Sequence, residues 1–246
     1  MKKNNKNNNF AIITTFIAVF IVVIISASLY FSTANKSSKN FTSKEKIYKP
    51  SLYAAADKGN KTEVIQLLNN GVNVDEKCQT SCKGWTPLMI AAAEGHEEIV
   101  DILVEHKANP NAQNAFGRTA LQYATRYNFY SIAESLLKAG ANPNIKSNET
   151  PQPNGDEAVN SPMADALSQK NDSKMLRLLV IYGGGNPNYN FWDFTPLIQA
   201  ARYSDLELIK YLLANGADKS HKKLGFTALD IAKTMNNKEA VELLSK

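Results

Sequence analysis

A short phrase recurs along the chain, as Thr86-Pro87-Leu88, Thr119-Ala120-Leu121, Ser161-Pro162-Met163, Thr195-Pro196-Leu197 and Thr227-Ala228-Leu229. The leading hydroxyl residues stand 33, 42, 34 and 32 positions apart. A period of roughly 33 residues is the length of one supersecondary unit that has to stack on its neighbours. Five copies therefore restrict the chain to a repeating, quasi-one-dimensional architecture before any single element is assigned.

The clearest unit runs from Gly84 to Asn111. Leu88, Ala91 and Ala92 fall on one side of a short helix, Gly95-His96 breaks it, and Ile99, Val100, Leu103 and Val104 mark a second amphipathic helix. Asn109-Pro110-Asn111 is expected to stop that helix. The Thr or Ser opening each phrase suits the N-cap, and Pro in second place suits the first turn, where its missing donor costs nothing. Gly71, Gly140 and Gly216 read as left-handed helix stops. Ala55-Ala56, Ala91-Ala92 and Ala200-Ala201 allow the first helices to pack closely.

In sequence and register, Gly84-Trp85-Thr86-Pro87-Leu88-Met89-Ile90-Ala91-Ala92-Ala93-Glu94-Gly95-His96 resembles the ankyrin repeat, and the later copies match it. A degenerate sixth unit precedes them, carried by Ser51, Leu52, Ala55, Ala56, Gly59, Val64, Leu67, Leu68 and Gly71. The resemblance implies an all-α ankyrin-repeat solenoid of five to six helix-turn-helix repeats over residues 48–246. The units are 50–80, 84–113, 117–146, 159–189, 193–222 and 225–246, the last reading as a polar cap through Lys238, Glu239, Glu242 and Lys246. One departure is consistent. The His usual after Pro-Leu is replaced by Tyr53, Met89, Gln122, Ala164, Ile198 and Asp230, which puts the rigidity between repeats in question.

Before the repeats, Phe10 to Phe31 form 22 residues without a charge. At 1.5 Å per residue that is about 33 Å of helix, enough for a hydrocarbon core of about 30 Å. The expectation is a transmembrane signal anchor at 10–31, behind a basic tail at 1–9 and ahead of a flexible linker at 32–47. The competing reading is a signal cleaved near Ser32-Thr33-Ala34, against which the length of the run argues. Lys2, Lys3 and Lys6 favour an inside N-terminus and an exported repeat domain, while Lys36, Lys39, Lys44, Lys46 and Lys49 pull the other way. Cys78 and Cys82, the only cysteines, flank a short loop and form a candidate disulfide for an oxidising compartment, with free thiols as the alternative. The abundance of Asn and Lys points to an AT-rich, bacterial genome.

Charge divides unevenly. Residues 1–49 carry eight Lys against one Glu, which leaves 20 basic and 22 acidic side chains on residues 50–246. A repeat domain without basic excess has no electrostatic warrant for nucleic acid. No metal site is expected, since the two cysteines have no neighbouring His or Cys to complete a ligand set. No convergent catalytic constellation occurs: His96 holds the structural Gly-His position, His106 lies at a helix end and His221 stands apart. An enzyme, a cofactor and a small-molecule substrate are not expected.

Two insertions interrupt the period: Lys146 to Asn160, with Pro151, Pro153 and Gly155, and a pair of extra residues assigned to Tyr182–Gly185. Function is sought in positions that the repeat leaves free. Residues before each phrase project on turns, and residues before the helix break share the concave face that the resemblance implies. These positions hold Trp85, Phe116, Arg118, Arg126, Tyr127, Phe191, Trp192, Phe194, Arg202 and Tyr203, with Lys83, Glu94, Lys223, Leu224 and Phe226 beside them. Trp, Tyr and Arg dominate the energetics of protein interfaces. The expected partner is a protein lying across units three to five; the alternative is that Trp85, Phe194 and Phe226 pack between turns as ordinary repeat residues.

Overall fold

The computed structural model describes residues 51–78, 82–148, 161–168 and 173–246. The expected tail, transmembrane helix and linker lie outside the described residues, as does most of the long insertion. Among the described residues no helix is long and apolar enough to cross a membrane. Pro50–Lys246 forms one compact unit.

That unit is built of helix pairs: α1 (Leu52–Asp57) with α2 (Lys61–Asn69), α3 (Pro87–Glu94) with α4 (Glu97–Glu105), and α5 (Ala120–Arg126) with α6 (Tyr130–Lys138). The series continues with α7 (Pro162–Ser168) and α8, which starts at Lys174–Arg177 and runs on to Tyr182, then α9 (Pro196–Arg202) with α10 (Leu206–Ala214) and α11 (Ala228–Thr234) with α12 (Lys238–Ser245). Helices this short do not persist alone in water, so packing has to hold them. First helices pack in series, α1 on α3, α3 on α5, α5 on α7 and α9 on α11, while second helices line up behind them, α2 on α4, α4 on α6 and α10 on α12. Leu52, Leu88, Leu121, Met163 and Leu197 and the paired alanines are buried along the seam, which is why the first helices approach so closely.

Every phrase starts a helix. Thr86, Thr119, Thr195 and Thr227 accept hydrogen bonds from the amide three residues on, and Ser51 and Ser161 do the same in their repeats. Gly71, Gly140 and Gly216 take φ of 78, 89 and 78°, the left-handed stops expected of them. The stop after α4 is not Asn109-Pro110-Asn111. The helix ends at Glu105, and Lys107 itself adopts the left-handed conformation with φ 66°.

The Asn-x-Asn segments have a different task. Asp75 accepts a hydrogen bond from the Asn109 amide at 3.0 Å, Asn111 from Asn142 at 2.7 Å, Asn144 from Asn186 at 2.9 Å and Asn188 from Asp218 at 2.8 Å. The same three Asn side chains donate onward to the carbonyls of Gly140, Gly184 and Gly216. Each of the three Asn rungs satisfies a turn amide and a helix-end carbonyl of the next repeat, while Asp75 satisfies the amide alone. The place of the absent His is taken differently from repeat to repeat: Met89 and Ile198 fill it with buried apolar side chains, Asp230 closes a capping box with Thr227, and the asparagine ladder ties the turns.

The extra pair assigned to Tyr182–Gly185 is divided. One residue enters the second helix of repeat four, where Leu178–Tyr182 form a π turn. The Gly185 amide accordingly reaches back to Leu179, one residue further than Val72 to Leu67, Ala108 to Leu103, Ala141 to Leu136 or Ala217 to Leu212. The buried Met175, Leu176 and Leu179 match Leu208, Ile209 and Leu212, which places the other extra residue between Ser168 and Ser173. Gly184, with φ 67°, holds the left-handed place that Gly71, Gly140 and Gly216 hold in their repeats. A Cβ on Gly183 would stand 2.7 Å from both Leu137 Cδ2 and the Leu179 carbonyl, and one on Gly185 would stand 2.6 Å from Met163 Sδ. The π turn draws the chain against its neighbours, and only glycine fits.

Candidate functional site

Between helix pairs the chain forms tight hairpins, and these carry the residues singled out in the sequence. Phe191 pairs with Phe194, and Lys223 with Phe226, each closing a two-residue tip. Both tips are left-handed throughout: Trp192 and Asp193 have φ 53 and 60°, Leu224 and Gly225 have φ 51 and 86°. Such turns match the twist of the flanking segments and favour Asn or Gly. The hairpin of repeat two is similar, with Lys83 and Gly84 at φ 47 and 79° and the Cys78 amide bonded to the Trp85 carbonyl. Cys78 and Cys82 bracket the approach to it, their Cα atoms 5.7 Å apart and their sulfurs within bonding distance.

The expected interface residues separate into two groups. Trp85 is half-buried, its ring 4.3 Å from that of Tyr123, and the Arg118 guanidinium lies 5.8 Å from the other ring of that stack. Asn114 completes the unit by donating to the Tyr123 hydroxyl. Phe191 and Phe194 are half-buried against the core. These side chains hold neighbouring turns together, as the packing alternative has it. Phe226 goes the other way and is exposed, together with Phe116, Tyr127, Trp192 and Leu224.

The helix-end pairs differ from each other. Arg126 and Tyr127 are both exposed, but the Arg126 Nε lies 3.9 Å from Asp165, a buried carboxylate of the next repeat. Arg126 is thus engaged within the stack as well as exposed. Arg202 is exposed, with its guanidinium 5.7 Å from the Tyr203 ring. Tyr203 is half-buried, and its hydroxyl has no hydrogen-bond partner among the described residues.

The hairpins of repeats five and six are stitched to one another. The Lys223 ammonium donates to the Trp192 carbonyl and sits 4.6 Å from the Phe194 ring centre. The His221 ring contacts the Asp193 carbonyl at 3.3 Å. This stitching is not visible in the sequence, because the pairing of the tips depends on how far one repeat is rotated on the next. On the second-helix side, a groove of about 360 Å³ is lined by Tyr130, Lys174, Arg177, Tyr182 and Glu207. Its cations are engaged within the protein: Lys174 lies 4.4 Å from the Tyr130 ring centre and Arg177 is 2.7 Å from Glu207. No three of the described His, Cys, Asp and Glu residues gather where a metal ion could be held.

Comparison with known proteins agrees with the geometry. The family model described as ankyrin repeats in three copies matches residues 52–147 and 163–246. The chain is similar to a putative ankyrin repeat protein of fowlpox virus, FPV031, at 31% identity over 166 residues, covering 64% of this chain and 46% of the relative. It is similar to the putative ankyrin repeat protein YahD of Escherichia coli at 38% over 96 residues, 37% of this chain and 46% of the relative. Mouse Rabankyrin-5 matches at 30% over 172 residues, 66% of this chain but 14% of the relative. The matched part of the chain spans less than half the length of each of these relatives. On the stacked helix pairs, their capped phrases and this match, the chain belongs to the ankyrin repeat family.

Proposed function

We propose that this chain, built of ankyrin repeats that imply a protein–protein interaction module, is a membrane-anchored binding module without chemistry of its own, whose protein partner lies across the hairpin tips and first-helix ends of repeats three to five. The observation that supports the proposal is the exposure of Tyr127, Trp192 and Arg202 at hairpin-tip and helix-end positions, where small polar residues would fold as well. Large stiff aromatics beside arginine are the residue types from which interface energy is drawn. Alanine at Arg126, Tyr127, Trp192, Arg202 and Tyr203 in turn is expected to cost about 1 kcal/mol or more in partner binding, with little change in Tm except at Tyr203 and Arg126. Undiminished binding by all five variants would reject the face.

The anchor is proposed on residues 10–31, whose uncharged length supports it, and the exported side on the basic N-terminal tail and the Cys78–Cys82 loop. Relatives from viruses, a bacterium and animals do not discriminate a source; the Asn and Lys abundance supports a bacterial one. N-terminal sequencing of protein from its native membrane separates the versions. An intact start supports an anchored scaffold or an inhibitor of one partner in the same compartment, whereas a start near Asn35 supports release as a secreted effector.

A further inference from the structure

The ion pairs of the described residues gather at the second helices: Lys61 with Glu98, Lys138 with Glu134, Arg177 with Asp205 and Glu207, and Lys246 with Glu242. Arg126 with Asp165 is the exception. On the hairpin side of repeats five and six the charges behave differently. Among the described residues Arg202, Lys222 and Lys223 form none of these ion pairs; Lys223 instead caps the Trp192 carbonyl, and Lys222 lies in the field of Asp230. The same two tips expose large apolar side chains, Trp192, 44% exposed, and Leu224, 83% exposed.

The backbone supplies an independent sign. Trp192 and Leu224 are held at positive φ, where bulky L residues are outliers and Asn or Gly would be relaxed. A water-facing tip gains nothing from a strained Trp or Leu. Strain of this kind, kept at an exposed position, points to use of the side chain.

Resting on the protein-binding reading above, we infer that the tips of repeats five and six anchor an acidic segment of the partner that carries a bulky apolar residue. Trp192 and Leu224 cover the apolar side chain while Arg202, Lys222 and Lys223 meet the flanking carboxylates. Complementary charge steers the encounter and makes it salt-sensitive, and the apolar anchor slows release.

The test is selection from a randomised peptide library on the full chain in detergent, repeated on Trp192→Asn/Leu224→Asn and on Lys222→Glu/Lys223→Glu. Asn is at home in left-handed tips, so the first variant keeps its fold, and circular dichroism verifies both. The expected enriched peptides are acidic with Trp, Phe or Leu, lose affinity roughly tenfold on either variant, and weaken with added salt. Enrichment of neutral or basic peptides, preferential binding of oligouridine in a parallel anisotropy titration, or no enrichment at all would overturn the inference. If non-acidic peptides are selected and are lost on the tip variant, the binding face stands and only the acidic partner falls. If selected peptides ignore both variants and also the alanine variants of the helix ends, the face falls with it.

Discussion

At the scale of single residues, neighbouring glycines answer to different constraints. Gly184 is left-handed with open space where a side chain would go, whereas a Cβ on Gly183 would stand 2.7 Å from Leu137 and from a backbone carbonyl. Gly184→Asn is therefore expected to cost well under 1 kcal/mol, and Gly183→Ala about 1 to 3 kcal/mol through overpacking. Urea unfolding of the two variants measures the difference; equal costs would contradict the close packing beside the π turn. The distinction was not legible in the sequence. Three consecutive glycines read as a loose turn, and nothing in their composition reveals that an extra residue one turn earlier has pushed them into Leu137 and Met163. The caps were legible, because a Thr before Pro-Leu has one evident use, whatever surrounds it.

At the scale of elements, the asparagine ladder is the chief tie between turns. Asn144 accepts from the Asn186 amide and donates to the Gly184 carbonyl at 3.2 Å, joining repeats three and four. Asn144→Ala removes both bonds and is expected to destabilise by about 1 to 3 kcal/mol, read from the urea midpoint. Asn144→Asp keeps the acceptor, as Asp75 does in the first rung, and should lose less. The sequence suggests a helix stop at Asn109-Pro110-Asn111, since it does not show which carbonyl of the next unit a side chain meets. The hairpins repeat the lesson. Trp85 and Phe194 hold the same place before their Thr, yet Trp85 stacks on Tyr123 whereas Phe194 carries the Lys223 ammonium, because repeat six has Ile231 where repeat three has Tyr123.

At the scale of the whole repeat unit, acid sensitivity is unevenly distributed. Hydrogen bonds from Ser220 and Thr227 hold Asp218 and Asp230 below the ordinary aspartate value of 3.8, and Lys246 holds Glu242 below 4.5. All three lie from the end of repeat five onward. A depressed carboxylate stabilises the fold above its unfolded value and loses that contribution as pH falls through the folded one. The stack is thus expected to loosen from its C-terminal end as pH drops below about 4, measured as earlier amide exchange in α11 and α12 than in α3 and α4. Uniform exchange along the stack would refute this. The rungs have one more consequence, which concerns inheritance. From repeat two to repeat five each junction pairs an Asn acceptor of one repeat with a turn amide of the next, so these junctions are alike in their chemistry and have a direction. Duplicating a segment of one period inserts a unit whose two ends already fit, whereas an insertion of another length keeps the rungs only where a loop or a device such as the π turn absorbs it. The chain can lengthen by copying itself.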